Sequence, residues 1–458
     1  MVTPAKNLPL ITPKAPNLPI APVQYAQLYQ DQFLNVLRLY FNQLDNTIAE
    51  LIQQMSGTIN NPTYVAFGGP TVDAFGRLRV SNPYTLFDSQ NRYQKDPQFS
   101  EELTTGGTAT FVANESSVDL AVTTSSGSKV VRQTFRVFPY QPGKSLMVFA
   151  TFVMNIAKEN LRQRVGYFNG SNGVFFQINN TTKSFVLRTN TSGTPSDART
   201  VDQLNWNGDK LDGTGPSGIV LNEAKAQILY MDFEWLGVGS VRCGFVIDGK
   251  IIICHTFNNA NDIDKVYMTT AILPIRYEIE NTGATGSAST LTQICSSVIS
   301  EGGYDQKASL TWARRTTTLV GVTTTFVPIV SIQLKSTSLG AVVIPSIFHA
   351  LPIGSTLDYE VALIKNPTLT GASFTSNSTN VEIDVTATAM TGGTIVDLSY
   401  VAGSNQGSGS ATGDVEYNFD NQLGVSLAGT SDIFTLAART ISGTDDIIGS
   451  MSYYDLTD

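Results

Sequence analysis

The sequence predicts a mainly β protein: a Pro-rich arm and an amphipathic helix, followed by two antiparallel β-sandwich domains of jelly-roll type. Two observations predict the sandwiches. Short apolar or alternating runs recur from about residue 108 to the end, with Gly, Asn and Ser between them. No helical pattern intervenes, and strands at this density without helices form sandwiches or jelly rolls. A third observation sets the N-terminus apart. Residues 24–55 contain neither Gly nor Pro, while Pro13, Pro16, Pro19 and Pro22 crowd the residues just before them. The domains expected are therefore 1–62 (arm and helix), 63–306 and 307–458.

The arm, residues 1–23, should be extended, because proline fixes φ and removes a backbone donor. Plain disorder is the alternative for a terminus of this kind. In the helix, Leu34, Leu37, Phe41, Leu44, Ile48, Leu51 and Met55 follow alternating steps of three and four. That spacing keeps one stripe facing a partner, the condition for coiled-coil packing. Tyr25, Tyr29, Phe33, Tyr40 and Ile52 widen the stripe beyond a two-stranded seam. The helix is expected to bundle with copies of itself or to bury in a neighbouring protein; packing on its own chain's sheet is the alternative. Residues 57–62, GTINNP, read as its stop, and 63–93 as irregular chain with brief strands.

One hairpin can be placed closely. Asp248-Gly249 separates two apolar runs and suits the positive φ angles of a type I′ turn. That register sets Ile247 opposite Lys250, Phe245 opposite Ile252 and Cys243 opposite Cys254. Opposed residues lie about 5.5 Å apart, within disulfide reach. Two reduced core thiols are the alternative, favoured by the absence of a secretion signal. The stretch 403–413, GSNQGSGSATG, cannot bury apolar surface and is expected to be a surface loop.

Composition limits function. The 458 residues carry a net charge of -9, and Arg314-Arg315 is the closest approach to a basic run. Nucleic acid is thereby excluded as a partner. Charged residues make up 15%, against about 25% in ordinary soluble domains, leaving Ser, Thr, Asn and Gly for the surface. No apolar stretch is long enough for a membrane span, and no signal peptide is read at the start. A reducing cytoplasm, or release without a secretion signal, is expected. Three cysteines form neither a disulfide framework nor a metal knuckle.

Chemistry is sparse. The two histidines, His255 and His349, sit in no metal spacing, and there is no G-x-S-x-G elbow. Asp232 and Glu234 in MDFEW form the best acid pair. Residues two apart on a strand share a face, so the carboxylates could act as glycosidase acid and nucleophile, with Trp206 and Trp235 as sugar-stacking surfaces. A solvent-facing strand side without catalysis is the alternative. Asn207, Asp209 and Asp212 lie among glycines that could hold Ca²⁺, but Lys210 stands where an EF-hand loop needs Gly, and an Asx-rich turn is the preferred reading. The stretch 237–244, GVGSVRCG, lacks dinucleotide-site spacing. No cofactor, no metal and no enzymatic activity are expected.

Several stretches together carry a resemblance: LRLYFNQLDN (37–46), DAFGRLRVSNPYTLFDSQNRY (73–93), RQTFRVFPYQPGKSL (132–146), RQRVGYF (162–168), LDGTGPSG (211–218), AQILYMDFEWLGVGSVRCGFVIDG (226–249) and ICSSVISEGGY (294–304). NPTLTGASF and GTSDIFTLAAR in the last third fit the same class. With these the chain resembles virion structural proteins of tailed bacteriophages, especially those of marine cyanobacteria. The resemblance implies a fibre, baseplate or head-appendage subunit, localised to the virion and anchored to other virion proteins through residues 1–60. Such appendages are usually homotrimers; the resemblance brings no catalytic residues. Host surface glycan recognition, or a tail-borne glycan hydrolase using Asp232 and Glu234, are the alternative functions.

Overall fold

The structure is a computed structural model that describes residues 27–59, 82–305, 307–317, 319–353, 356–403, 411–414 and 419–457. The predicted arm, the segment 60–81 and positions 404–410 of the Gly/Ser stretch lie outside the described residues. Two compact units are present, Met1–Gly68 and Gly69–Asp458.

In the first unit, helix α1 covers Gln27–Ile59. It continues past Gly57, where a stop was expected. A single glycine costs a helix only about 1 kcal/mol; the residue that a helix cannot absorb is Pro62. Tyr29 and Phe33, one turn apart, stack at 6.1 Å. Of the predicted seam, Leu34 and Phe41 are 50% and 55% exposed, and Leu37 and Leu44 are partly buried. The side chains of Ile48, Leu51 and Met55 lie outside the described residues.

The second unit is β throughout. One eight-stranded sheet runs β13 (Lys250–Phe257), β12 (Val241–Ile247), β11 (Gln227–Phe233), β6 (Ser145–Val153), β15 (Ser289–Glu301), β4 (Ser117–Val122), β3 (Thr108–Val112), with β1 (Tyr84–Gln90) also paired to β15. Facing it is a seven-stranded sheet: β10 (Ser196–Asp202), β9 (Thr182–Thr189), β8 (Gly173–Asn179), β7 (Leu161–Phe168), β14 (Ile275–Asn281), β5 (Lys129–Thr134), β2 (Phe99–Thr104). Period-2 alternation decides the inner faces: Val148, Ala150 and Phe152 of β6 are buried while Met147, Phe149 and Thr151 are only partly so. Phe152 meets Phe176, and Phe176 meets Phe245, across the shared core. Strands begin at Tyr84, and β1 falls within the stretch expected to hold brief strands. β2 is not foreshadowed in the sequence, because FSEELT carries two glutamates at a sheet edge.

The outer face of the seven-stranded sheet is charged but closed on itself. Phe168, Phe175 and Val186 form a small buried cluster there, roofed by the guanidiniums of Arg164, Arg188 and Arg276 at 5.1–5.9 Å from the rings. Those cations are neutralised in place: Arg188 by Asp197, and Arg276 and Arg164 by Glu278. Burial acts to raise the Glu278 carboxyl, but the surrounding arginines hold it below its ordinary range.

The remaining strands build a second pair of sheets. One runs β16 (Ser309–Arg314), β28 (Asp445–Asp455), β19 (Val343–Pro352), β26 (Ala411–Asp414), with β17 (Leu319–Val322) also on β28. The other runs β22 (Thr375–Ser376), β23 (Val381–Asp384), β18 (Val327–Leu334), β27 (Ile433–Thr440), β20 (Tyr359–Lys365), β25 (Thr394–Val401); β21 (Thr368–Thr370) pairs β24 (Ala389–Thr391) alongside. Leu334, Phe348, Leu363, Leu436 and Tyr453 belong to the core between them. The end of the predicted Gly/Ser loop, from Ala411, is strand β26, because its backbone finds partners on β19. The two sandwiches touch within this unit. Val425 N–H donates to Phe135 C=O at 2.8 Å, Arg136 pairs with Asp420 at 2.8 Å, and Val342, Ile344 and Phe419 join the first core.

Candidate functional site

The Asp248-Gly249 turn forms as its sequence dictates, with φ angles of 51° and 72°. Ile247 faces Lys250 and Phe245 faces Ile252, as expected, but a bulge between Cys243 and Gly244 sets Cys243 opposite His255 rather than Cys254. Gly244 is where the backbones come closest: a Cβ there would lie 2.0 Å from Ile252 O. Both thiols are free and buried.

The predicted glycan-facing residues are interior, which corrects that expectation. Trp206 is 2% exposed, its ring tilted against Phe185 at 4.6 Å, with its indole N–H donated to Val201 C=O. Asp232 is fully buried, paired with Arg242 and accepting from the hydroxyls of Tyr230 and Ser145. Glu234 is fully buried as well. Trp235 is half-buried, its N–H given to Met268 C=O and its ring set edge-on to Tyr140. Two carboxylates closed off from solvent cannot flank a glycosidic bond. Asp232 lies on β11 and Glu234 just past its end at Phe233, so strand alternation could not show that either carboxylate is covered.

The Asn207–Asp212 loop is an Asx turn. Asp209 accepts from the N–H groups of Leu211 and Ser217 at 2.9 and 2.7 Å, occupying both oxygens. Asp212 does the same for Thr214. Among the described residues no group of three His, Cys, Asp or Glu side chains is placed to hold a metal.

Among the described residues three cavities stand out. A groove of about 760 Å³ lies between the sandwiches, lined by Glu102, Gln133, Arg276, Ile272, Leu339 and Val425 among others. A second, of about 510 Å³, gathers Arg199, Asn207, His255, Phe257 and Asp262 between β10 and β13. There Asn207 N–H donates to His255 Nδ1 at 3.3 Å, and burial together with Arg199 pushes the imidazole down to about 4.

The third cavity, about 350 Å³, lies on the second sandwich and is lined by Arg314, Arg315, His349, Leu351, Ile448 and Ser450 among others. Ala313 points into the core, so Trp312 and Arg314 of β16 point out. Arg314, Ser450 and His349 are register partners and form one row across three strands. Trp312 is 56% exposed, with the Arg314 guanidinium 4.9 Å from its ring centre. Arg315 N–H donates to Gly449 C=O at 3.1 Å, after which the chain leaves β28 until Leu319. Its Nε and Nη1 are buried without a hydrogen-bond partner. Sequence reasoning saw the Arg314-Arg315 doublet and His349 separately. Only Trp312 beside the doublet hinted at a surface site, and SLTWAR was not read as a strand.

No family model matches the chain, and no curated protein matches its sequence. Solved structures similar to part of it include the carbohydrate recognition domain of Emp47p, at 13% identity and a TM-score of 0.30 over 47% of this chain and 94% of that one. A cellulose-induced protein, Cip1, matches at 13% identity and 0.30 over 48% and 100%. The receptor-binding domain of botulinum neurotoxin D matches at 11% and 0.31 over 47% and 48%. Likeness of this degree carries no argument about what the chain binds.

Proposed function

We propose that the protein is a non-enzymatic structural subunit of a tailed-phage particle, homotrimeric through α1 and joined to other particle proteins by residues 1–60. The observation that carries this reading is the exposure of two seam residues. Leu34 and Phe41 stand half-exposed on a helix whose apolar residues repeat at coiled-coil spacing. The sequence resemblance to virion proteins supports it, as does a surface built of Ser, Thr, Asn and Gly.

A second reading, that the β unit recognises host surface glycan, is favoured by one observation: Trp312 stands 56% exposed on an open sheet face beside a cavity. The hydrolase reading loses its acid pair to burial.

Light scattering of the full chain and of a version lacking residues 1–60 tests the first reading. A trimer that falls to monomer on truncation is expected; monomer in both sinks the self-bundling helix. Mass spectrometry of purified particles must find the chain among their proteins.

A further inference from the structure

We propose that the outer face of the sheet β16-β28-β19 is a binding site for an acidic saccharide, a pyranose carrying a carboxylate or sulfate. Trp312 supplies the stacking surface and Arg314 the cation, with His349, Ser450 and the Arg315 position lining the cavity beside them. The inference rests on the glycan reading of the β unit and names its ligand class.

Charge points first to an anion. The chain carries a net charge of -9, yet two adjacent arginines line this one cavity. Elsewhere the buried arginines are answered locally: Arg132 by Glu101, Arg164 by Glu278, Arg242 by Asp232. Among the described residues, Arg314 and Arg315 make no ion pair. Asp384 is the acid whose field reaches Arg315, and burial still lowers its guanidinium from the ordinary value.

Geometry then narrows the anion. The exposed guanidinium on this face is that of Arg314, which extends from β16 on the same side as Trp312. A planar guanidinium fork is matched by the paired oxygens of a carboxylate or the face of a sulfate. Adjacent strands lie about 4.8 Å apart, so Arg314 and His349, flanking Ser450, stand roughly 10 Å from each other, the width of one or two sugar rings. A cavity of about 350 Å³ is at the small end of ligand sites and suits such a unit.

The saccharide part follows from Trp312. An exposed indole two residues from Arg314 on the same strand face offers an apolar plate for the C–H face of a pyranose. Ser450 and Ser452, the register partners of Arg314 and Trp312, put hydroxyls between the plate and the cations. Stacking plate, hydroxyls and cations thus line up in one direction along β16 and β28.

The experiment is calorimetric titration of the full chain with tetragalacturonate, its methyl ester, and a sulfated galactan tetramer. Binding of the uronate, the sulfated oligomer or both, at least tenfold tighter than the neutral ester, is expected, and the two charged arms tell carboxylate from sulfate. Arg314→Gln and Trp312→Ala, both at exposed side chains, should each weaken the charged ligand at least tenfold, while His255→Gln, in a different cavity, should not. Equal affinity for the ester overturns the acidic-site proposal while sustaining a glycan reading. Lack of binding to all three, or binding untouched by Arg314→Gln and Trp312→Ala, also overturns it; neither outcome bears on the particle-subunit reading, which the light-scattering and particle measurements decide.

Discussion

Asp232 and Arg242 are register partners on β11 and β12, and their side chains form an ion pair in which the carboxylate has no exposure to solvent. The same carboxylate accepts from Tyr230 Oη at 3.0 Å. Removing one partner of a buried pair leaves the other charged and uncompensated, which costs roughly 3–5 kcal/mol. Asp232→Asn should lower unfolding stability in urea by about that amount. A variant as stable as the parent would show that the pair is not holding β11 to β12.

The bulge at Gly244 bears on the thiols. Burial raises the Cys243 thiol well above its ordinary value and raises Cys254 in the same way. The thiolate is the reactive form, so both should resist labelling at pH 8 in the folded chain. Partly buried Cys295, also raised by burial, should react before them. All three should label at once in guanidinium chloride. Rapid labelling of Cys243 in the native state, or a Cys243–Cys254 cross-link under mild oxidation, would contradict the bulged register.

His255 makes stability fall on acidification. Its folded pKa is pushed down to about 4 by burial and then by Arg199, against about 6.5 in an unfolded chain. Between those values the unfolded state binds a proton that the folded state refuses, so stability is complete above about pH 6.5 and declines toward pH 4. Protonation at Nδ1 would also end the hydrogen bond from Asn207. The urea midpoint of the parent should drop more between pH 7 and pH 5 than that of His255→Gln. Parallel behaviour of the two would remove His255 as the cause.

The exposed helix seam predicts a separable assembly device. Leu37→Lys with Phe41→Lys should convert the trimer to monomer in light scattering while leaving the thermal unfolding of the β unit unchanged. A trimer that survives both charges would place assembly elsewhere in the chain.

The sequence by itself determined what depends on neighbours along the chain. Residues 27–55 had to be helical, since nothing in them breaks a helix and their apolar spacing rewards one. Asp248-Gly249 had to turn, because its two residues tolerate positive φ. Apolar runs announced β6 and β11 as strands. Tertiary structure decided everything that depends on what lies across a strand. A period of two tells which way Asp232 points but not whether that side is covered, and here it is. The hairpin register ran true from the turn to Gly244, where one residue of slack on β13 moved Cys254 out of line. β16 was too short and too polar to announce itself, and pairing with β28 made it a strand. That pairing put Trp312 and Arg314 on an open face, with His349 two strands away, although Trp312 and His349 are 37 positions apart in the chain. Local preference acts over a few residues, whereas a site is assembled by strand order, and only the folded sheet carries that order.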